Sequence, residues 1–237
     1  MIIPLVAKLE TVAVLSADDR QALEAIGGNT RSFDKGRDIL SEGDAPTHVY
    51  AILDGWAARY KTLRDGTRQI IAFLIPGDLC DSEITVLKKM DHSVLALTPV
   101  TVASLPRDAL MELTRDRPKL AQAFWWATLV DMAVLRAWLV NLGRRDAQAR
   151  IAHQVCELHA RMKRIGLARD GEFDLPITQE QLSDALGLTS VHVNRVLQRL
   201  RSEGMIRLQN RHLTLLDAER LGALAGFDPG YLHSASS

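Results

Sequence analysis

ITQEQLSDALGLTSVHVNRVLQRLRSEGMI, residues 177–206, is punctuated at the ends of two short helical stretches. Thr178 can cap the first through its hydroxyl. Gln181, three residues on, can reach back to the amide of Thr178, completing a reciprocal capping box. Leu182, Ala185 and Leu186 form a stripe at three- and four-residue spacing, and Gly187 supplies the left-handed residue at which a helix stops. Thr189 is placed to cap a second helix, whose apolar positions Val193, Val196, Leu197 and Leu200 face back onto the first, with Gly204 as the next stop. The stretch predicts a helix-turn-helix.

Its outward positions are Ser190, Val191, Asn194, Arg195, Gln198, Arg199 and Arg201, where a helix docked in a major groove carries base-reading and phosphate-holding groups. Arg195 is the best base reader, because a guanidinium fork can donate twice to guanine. Residues 205–208 and 213–215 are two apolar runs around Gln209, Asn210, Arg211 and His212, the pattern of a small hairpin beside the second helix. Such a wing lies over the phosphate backbone. The candidate DNA contacts are therefore Thr178, Thr189, Ser190, Val191, His192, Asn194, Arg195, Gln198 and Arg199, joined by Arg207 and Arg211 of the wing. Between Gly187 and His212 five arginines face one acid, Glu203, although the whole chain has no net charge. Neutrality overall does not exclude nucleic acid, since affinity follows the few phosphates neutralised locally. Residues 217–225 predict a closing helix and 233–237 a frayed end.

The rest of the chain is ordinary for a soluble protein, with 47% hydrophobic and 24% charged residues in 237. Cys80 and Cys156 are too few for a disulfide framework and form no Cys-x-x-Cys pair, which fits a reducing cytoplasm. The start, MIIPLVAKLE, has neither a basic region nor a cleavage site, and no run is expected to approach the ~20 apolar residues of a membrane span. Residues 16–26 predict a helix capped by Ser16. From Thr30 to Ser104, short strand-like runs (49–53, 56–63, 69–74, 93–97, 100–105) alternate with glycines. Asp54-Gly55 and Asp65-Gly66 carry the signature of tight hairpins. The expectation is an antiparallel β-roll of jelly-roll type.

Pro118 fits the first turn of a helix that runs unbroken to about Asn141. That helix is apolar on more than one side, so one stripe can cover the roll while another needs a second copy. Phe124, Leu135, Trp138, Leu139 and Leu142 are the candidate dimer contacts. Asp146 can cap a further helix to about Lys163. On that helix His153, Cys156 and His159 span too wide an arc to share one metal ion. The overall expectation is an α+β chain: a β-roll sensor-like domain at 1–117, a dimerisation helix at 118–143 and a winged helix-turn-helix domain at 144–237.

With these parts in order, the chain resembles the Crp-Fnr superfamily of bacterial transcription regulators. Residues 43–79, GDAPTHVYAILDGWAARYKTLRDGTRQIIAFLIPGDL, and residues 177–206 carry the resemblance, which extends from Ser16 to Leu216. It implies a cytoplasmic homodimer that binds double-stranded DNA at a palindromic promoter site, with one recognition helix per half-site, and acts on RNA polymerase. Members that bind cyclic AMP use a Gly-Glu-Leu turn after the Gly-Asp of the roll and an Arg-Ser pair downstream. Here those stretches read Asp81-Ser82-Glu83 and Met90-Asp91-His92-Ser93, so the phosphate-neutralising arginine is missing and added carboxylates would repel an anion. Cyclic AMP is not expected, no cofactor is predicted, and Asp81, Ser82, Glu83, Asp91 and His92 remain the candidate pocket for an unidentified effector. The superfamily's usual recognition glutamate is Val191 here, which implies a different target palindrome.

The rival readings come from other chemistry. A haem sensor would draw on His48, His92 or Cys80, and a thiol sensor on Cys80, but Asp78 and Asp81 beside that cysteine would raise its pKa. A regulatory module that binds cyclic nucleotides without acting on DNA conflicts with the helix-turn-helix. An enzyme of cupin type would need a His-x-His with a downstream Glu and His, which the sequence lacks.

Overall fold

The computed structural model describes residues 2–81 and 83–233. Its elements are α1 (Ile3–Glu10), α2 (Ala17–Ile26), β1 (Thr30–Phe33), β2 (Asp38–Leu40), β3 (His48–Asp54), β4 (Ala57–Thr62), β5 (Arg68–Leu74), β6 (Ser93–Ala96), β7 (Val100–Pro106), α3 (Arg107–Asp116), α4 (Pro118–Arg144), α5 (Ala147–Arg164), β8 (Glu172–Asp174), α6 (Gln179–Leu186), α7 (Ser190–Ser202), β9 (Ile206–Gln209), β10 (His212–Leu215) and α8 (Ala218–Ala225). The described residues divide into two compact units, 2–131 and 132–233, and α4 runs across the boundary between them without a break. Gly143 lies inside that helix and does not end it.

The first unit is an antiparallel roll. One sheet has the order β1-β7-β3 and the other β2-β6-β4-β5. Their inner faces meet through Val49, Ala51, Val102, Ala57, Leu74 and Val94, with α1 and the N-terminal half of α4 contributing to the same core. Neither Asp-Gly pair makes the tight two-residue hairpin expected of it. β3 and β4 lie in different sheets, so Asp54-Gly55 carries the chain across the roll. Gly55 is required there because its φ is +83° and a Cβ would fall 2.1 Å from the Pro99 carbonyl oxygen. Asp65-Gly66 lies in a longer hairpin loop, where Gly66 donates to the Leu63 carbonyl and Asp65 Oδ1 accepts from the Thr67 amide at 2.9 Å. That is a turn closed by one left-handed glycine.

The N-terminal residues read only as lacking a leader form α1, whose Leu5 and Leu9 are fully buried. Ser16 caps α2 with a complete capping box to Asp19, and Asp146 caps α5, both as expected. The expected frayed tail, apart from His233, lies outside the described residues. The expectation that no run approaches a membrane span requires correction. An 18-residue window of α4 reaches a mean hydropathy of 1.4, yet only 33% of it is buried within the chain. The helix is this apolar because one side serves the core while the opposite side stays apolar in the open.

Candidate DNA interface

The second unit builds its helix-turn-helix by local chemistry. Thr178 Oγ1 accepts from the Gln181 amide at 3.1 Å while Gln181 Oε1 accepts from the Thr178 amide at 2.9 Å, closing the box that starts α6. Gly187, at φ +61°, ends that helix. Arg150 of α5 donates to the Leu186 carbonyl at 3.1 Å and so satisfies a free carbonyl at the same end. Thr189 Oγ1 accepts from the His192 amide at 3.2 Å and starts α7. Val193, Val196, Leu197 and Leu200 are buried.

On the opposite face Ser190, Val191, His192, Asn194, Arg195, Gln198 and Arg199 are all exposed. Val191 is 70% exposed and so open to a partner. Arg195 has no hydrogen-bond or ion-pair partner among the described residues. Asn194 is less free, because its amide donates to Gln179 Oε1 at 3.0 Å and ties the reading helix to the start of α6. Arg199 is paired with Glu203 at 2.7 Å. Arg201, expected to point outward, is half-buried and its Nε is buried without a partner among the described residues, so it belongs to the packing side.

The wing has three strands, β8-β10-β9, because residues 172–174 add an edge that the apolar pattern did not reveal. Gln209 pairs with His212, leaving Asn210 and Arg211 as a two-residue loop at φ +50° and +65°. Positive φ at both central residues marks the type I′ turn. Arg211 is exposed at its tip, without a side-chain partner among the described residues. Arg207 is engaged, 3.4 Å from Thr214 Oγ1 and 3.7 Å from Glu172. His212, hydrogen-bonded to Asp174 at 2.8 Å and near Glu172, titrates above the ordinary histidine range because those acids favour its charged form.

The candidate dimer contacts divide. Phe124 is 8% exposed and packs into the core of the first unit, while Trp138 is 4% exposed and donates to Glu157 at 3.0 Å inside the second. Neither is available to a second copy. Leu135 and Leu139 are exposed and Leu142 is half-buried. The open row on α4 instead includes Trp125, Leu129, Met132, Leu135 and Leu139, 40–72% exposed. Trp125, Leu129, Met132, Arg136, Leu139 and Gly143 follow one another at steps of four and three, the seven-residue repeat of a coiled-coil seam.

The five candidate effector residues do not converge. Asp81 is buried and accepts from the Glu83 amide at 2.7 Å; Asp91 lies 2.6 Å from His92 Nδ1; no hydrogen bond among the described residues joins the two pairs. Ser82 lies outside the described residues. A groove of about 580 Å³ runs between residues 83–87, α3 and α4, and of the four described candidates only Glu83 lines it. Cys80 and Cys156 are both buried, and burial pushes each thiol up to about 12, which removes the thiolate a redox sensor needs. His153 stacks on Tyr231 at 6.1 Å and His159 lies 5.8 Å from Phe173, so both rings are packing elements.

Comparison with known proteins agrees with this geometry. Residues 30–117 match the model of the cyclic nucleotide-binding domain and residues 149–224 that of the Crp-like helix-turn-helix domain. The transcriptional activator protein FnrL of Cereibacter sphaeroides is 30% identical over 84% of this chain and 81% of its own length. The nitrogen fixation regulation protein FixK of Bradyrhizobium diazoefficiens is 30% identical over 92% of this chain and 91% of its own. Among solved structures, FixK2 from Bradyrhizobium japonicum superposes with a TM-score of 0.75 at 28% identity, covering 84% of this chain and 98% of that one.

Proposed function

From a chain that belongs to the Crp-Fnr family of DNA-binding transcription regulators, a family of regulators and not of enzymes, we propose a cytoplasmic homodimer that binds a palindromic promoter site and acts on RNA polymerase. One observation carries the reading: the capped helix α7 presents Arg195, without a partner among the described residues, beside an exposed Val191, on a face opposite its buried stripe. Arg195 reads a guanine, Val191 packs on a thymine methyl, and Ser190, His192, Gln198 and the amide ends capped by Thr178 and Thr189 hold the flanking bases and phosphates. Arg211 at the wing tip contacts phosphate. Arg199 and Arg207 contribute once DNA displaces their acids. The exposed seam of α4 pairs two copies, and the two-fold axis of that pair makes the target palindromic.

The roll does not take cyclic AMP in this reading. The turn that would hold its phosphate brings carboxylates, and the arginine that the roll does supply, Arg59, is already engaged by Asp131. The test is selection of bound duplexes from a random pool with the purified full chain, followed by titration of the Arg195→Ala protein. Each half-site should lose about 1–3 kcal/mol at one base position, so a palindrome loses roughly twice that. An equal loss on every sequence would make Arg195 a phosphate contact, and failure to enrich any inverted repeat would refute the paired reading.

A further inference from the structure

Five charged side chains meet inside the first unit, at the place where the turn after β5 approaches α4. Arg59 of β4 donates to the carbonyls of Leu79 and Cys80, both at 2.9 Å, and to Asp131 of α4 at 3.1 Å. Lys8 of α1 donates to Asp78 at 2.6 Å and lies 3.6 Å from the other oxygen of Asp131. Asp78, 2% exposed, also accepts from the Ile75 amide at 2.8 Å, and Asp81 adds a fifth charge nearby. Burial alone would depress the guanidinium of Arg59, but Asp131, Asp81 and Asp78 outweigh it and hold the group above its ordinary value.

The arrangement is built tightly. Gly77 sits at φ +92°, and a Cβ there would fall 2.5 Å from the Pro4 carbonyl oxygen, so α1 can seat on the turn only because residue 77 is glycine. The space left between Lys8, Leu9, Gly77, Leu79 and Asp131 is about 10 Å³, enough for no more than a single water. One carboxylate, Asp131, thus joins three separate segments of the chain: the N-terminal helix, a central strand of the roll and the long helix.

We propose that Asp131, gripped by Arg59 and Lys8, is a positioning residue for DNA binding: the grip fixes α4 against α1 and the roll from within and so holds the exposed seam of α4 in the placement a second copy meets. This rests on the paired reading above and adds to it that the chain supplies internally the tie between roll and helix. A lysine in place of Arg59 or a neutral amide in place of Asp131 cannot replace the grip, since Arg59, bound to two carbonyls and a carboxylate, uses its planar fork, and an amide carries no charge to answer two cations.

The test uses the full chain and the duplex selected above. Dimer dissociation is measured by sedimentation, duplex binding by fluorescence anisotropy and folding by circular dichroism, for the wild type and for Asp131→Asn, Asp131→Glu and Lys8→Met. Asp131→Asn and Lys8→Met should raise the dimer dissociation constant and weaken duplex binding about tenfold or more with the fold retained. Asp131→Glu, which keeps the charge, should stay within about threefold of the wild type. If either Asp131→Asn or Lys8→Met does not fold, the other decides: Asp131 is 27% exposed and keeps its shape as an amide, whereas Lys8→Met strips the 3%-exposed Asp78 of its cation. A wild-type dimer matched by Asp131→Asn and Lys8→Met overturns the grip alone, as does an Asp131→Glu protein as weak as Asp131→Asn. A wild type that stays monomeric on its duplex overturns the paired reading, and the grip falls with it.

Discussion

Replacing Arg211 by glycine separates the stability of the wing from its use. Arg211 and Asn210 hold φ of +65° and +50° in a two-residue turn, and the preferred sequence for that turn is Asn-Gly. An L-residue held in the left-handed region costs roughly 1–2 kcal/mol, while a glycine gives back about 0.5–1 kcal/mol through the freedom it gains in the unfolded chain. The net is a gain of about 1 kcal/mol or less, a few degrees in Tm for a domain of this size. Arg211→Gly should therefore fold at least as well as the wild type. Its DNA binding should fall, because a dimer loses one phosphate contact per wing. Two contacts at about 0.9 each remove roughly 1.8 from the slope of log K against log salt, so raising salt fourfold should narrow the wild-type advantage by about 12-fold. Anisotropy titrations at about 50 and 200 mM salt, on the selected palindrome and on a scrambled duplex, measure both quantities. An unchanged slope, or a loss confined to one sequence, refutes the phosphate role; a sharp drop in Tm refutes the reading of the turn.

Three further outcomes follow from single side chains. Val191→Glu places an acceptor on the exposed turn of α7 and should move base preference at one position of each half-site toward cytosine by about 1–3 kcal/mol; repeated selection yielding an unchanged palindrome would show that Val191 does not face the bases. His153 is held at about 4, first by burial and second by the charge of Arg145, so it folds neutral. The stability it contributes is complete above about pH 6.5 and is lost as pH falls through that value toward about 4, a change of up to roughly 3 kcal/mol. His153→Phe keeps a ring against Phe227 and Tyr231 and should flatten the pH dependence of urea unfolding in that window, where parallel curves would contradict the assignment. Cys80 and Cys156, with thiols near 12, should resist iodoacetamide in the native chain at pH 8 and react only after denaturation; rapid native alkylation of either would show an accessible thiolate.

What the sequence revealed and what it hid divide by the range of the interaction. The caps at Ser16, Asp146, Thr178 and Thr189 use atoms three residues apart, so their residue types alone place the starts of α2, α5, α6 and α7. Asp54-Gly55 misleads because a turn signal reports local bending but not which strands pair across it, and β3 finds its neighbour β7 about fifty residues away. Periodicity shows that α4 is apolar on several sides, but it cannot say which side the core takes. Phe124 and Trp138 therefore look as available as Leu139 until Trp138 is seen donating to Glu157. The reading helix was legible as an element, whereas the engagement of Asn194 by Gln179 and of Arg207 by Glu172 was not. Arg59 and Asp131 lie 72 residues apart, and no spacing rule joins them.

The distribution of charge makes the same point about function. A chain with 29 basic and 29 acidic residues has no long-range pull on DNA, so its attraction must come from where cations are left unanswered. Inside the roll they are answered: Arg59 and Lys8 meet Asp131 and Asp78. Along the proposed DNA-facing surface the acids thin out toward the proposed contact points. Arg199 retains Glu203 and Arg207 retains Glu172, while Arg195 and Arg211 keep none among the described residues. On the proposed reading a duplex first finds two guanidiniums without a partner among the described residues, one on α7 and one at the wing tip, and gains the other two only by displacing their acids. Exposed pairs of this kind are worth about 0–1 kcal/mol, so the exchange is nearly neutral and reversible. Binding without sequence preference should therefore be weak and salt-sensitive, and discrimination should rest chiefly on Arg195 and Val191, whose guanidinium fork and methyl groups suit guanine and thymine.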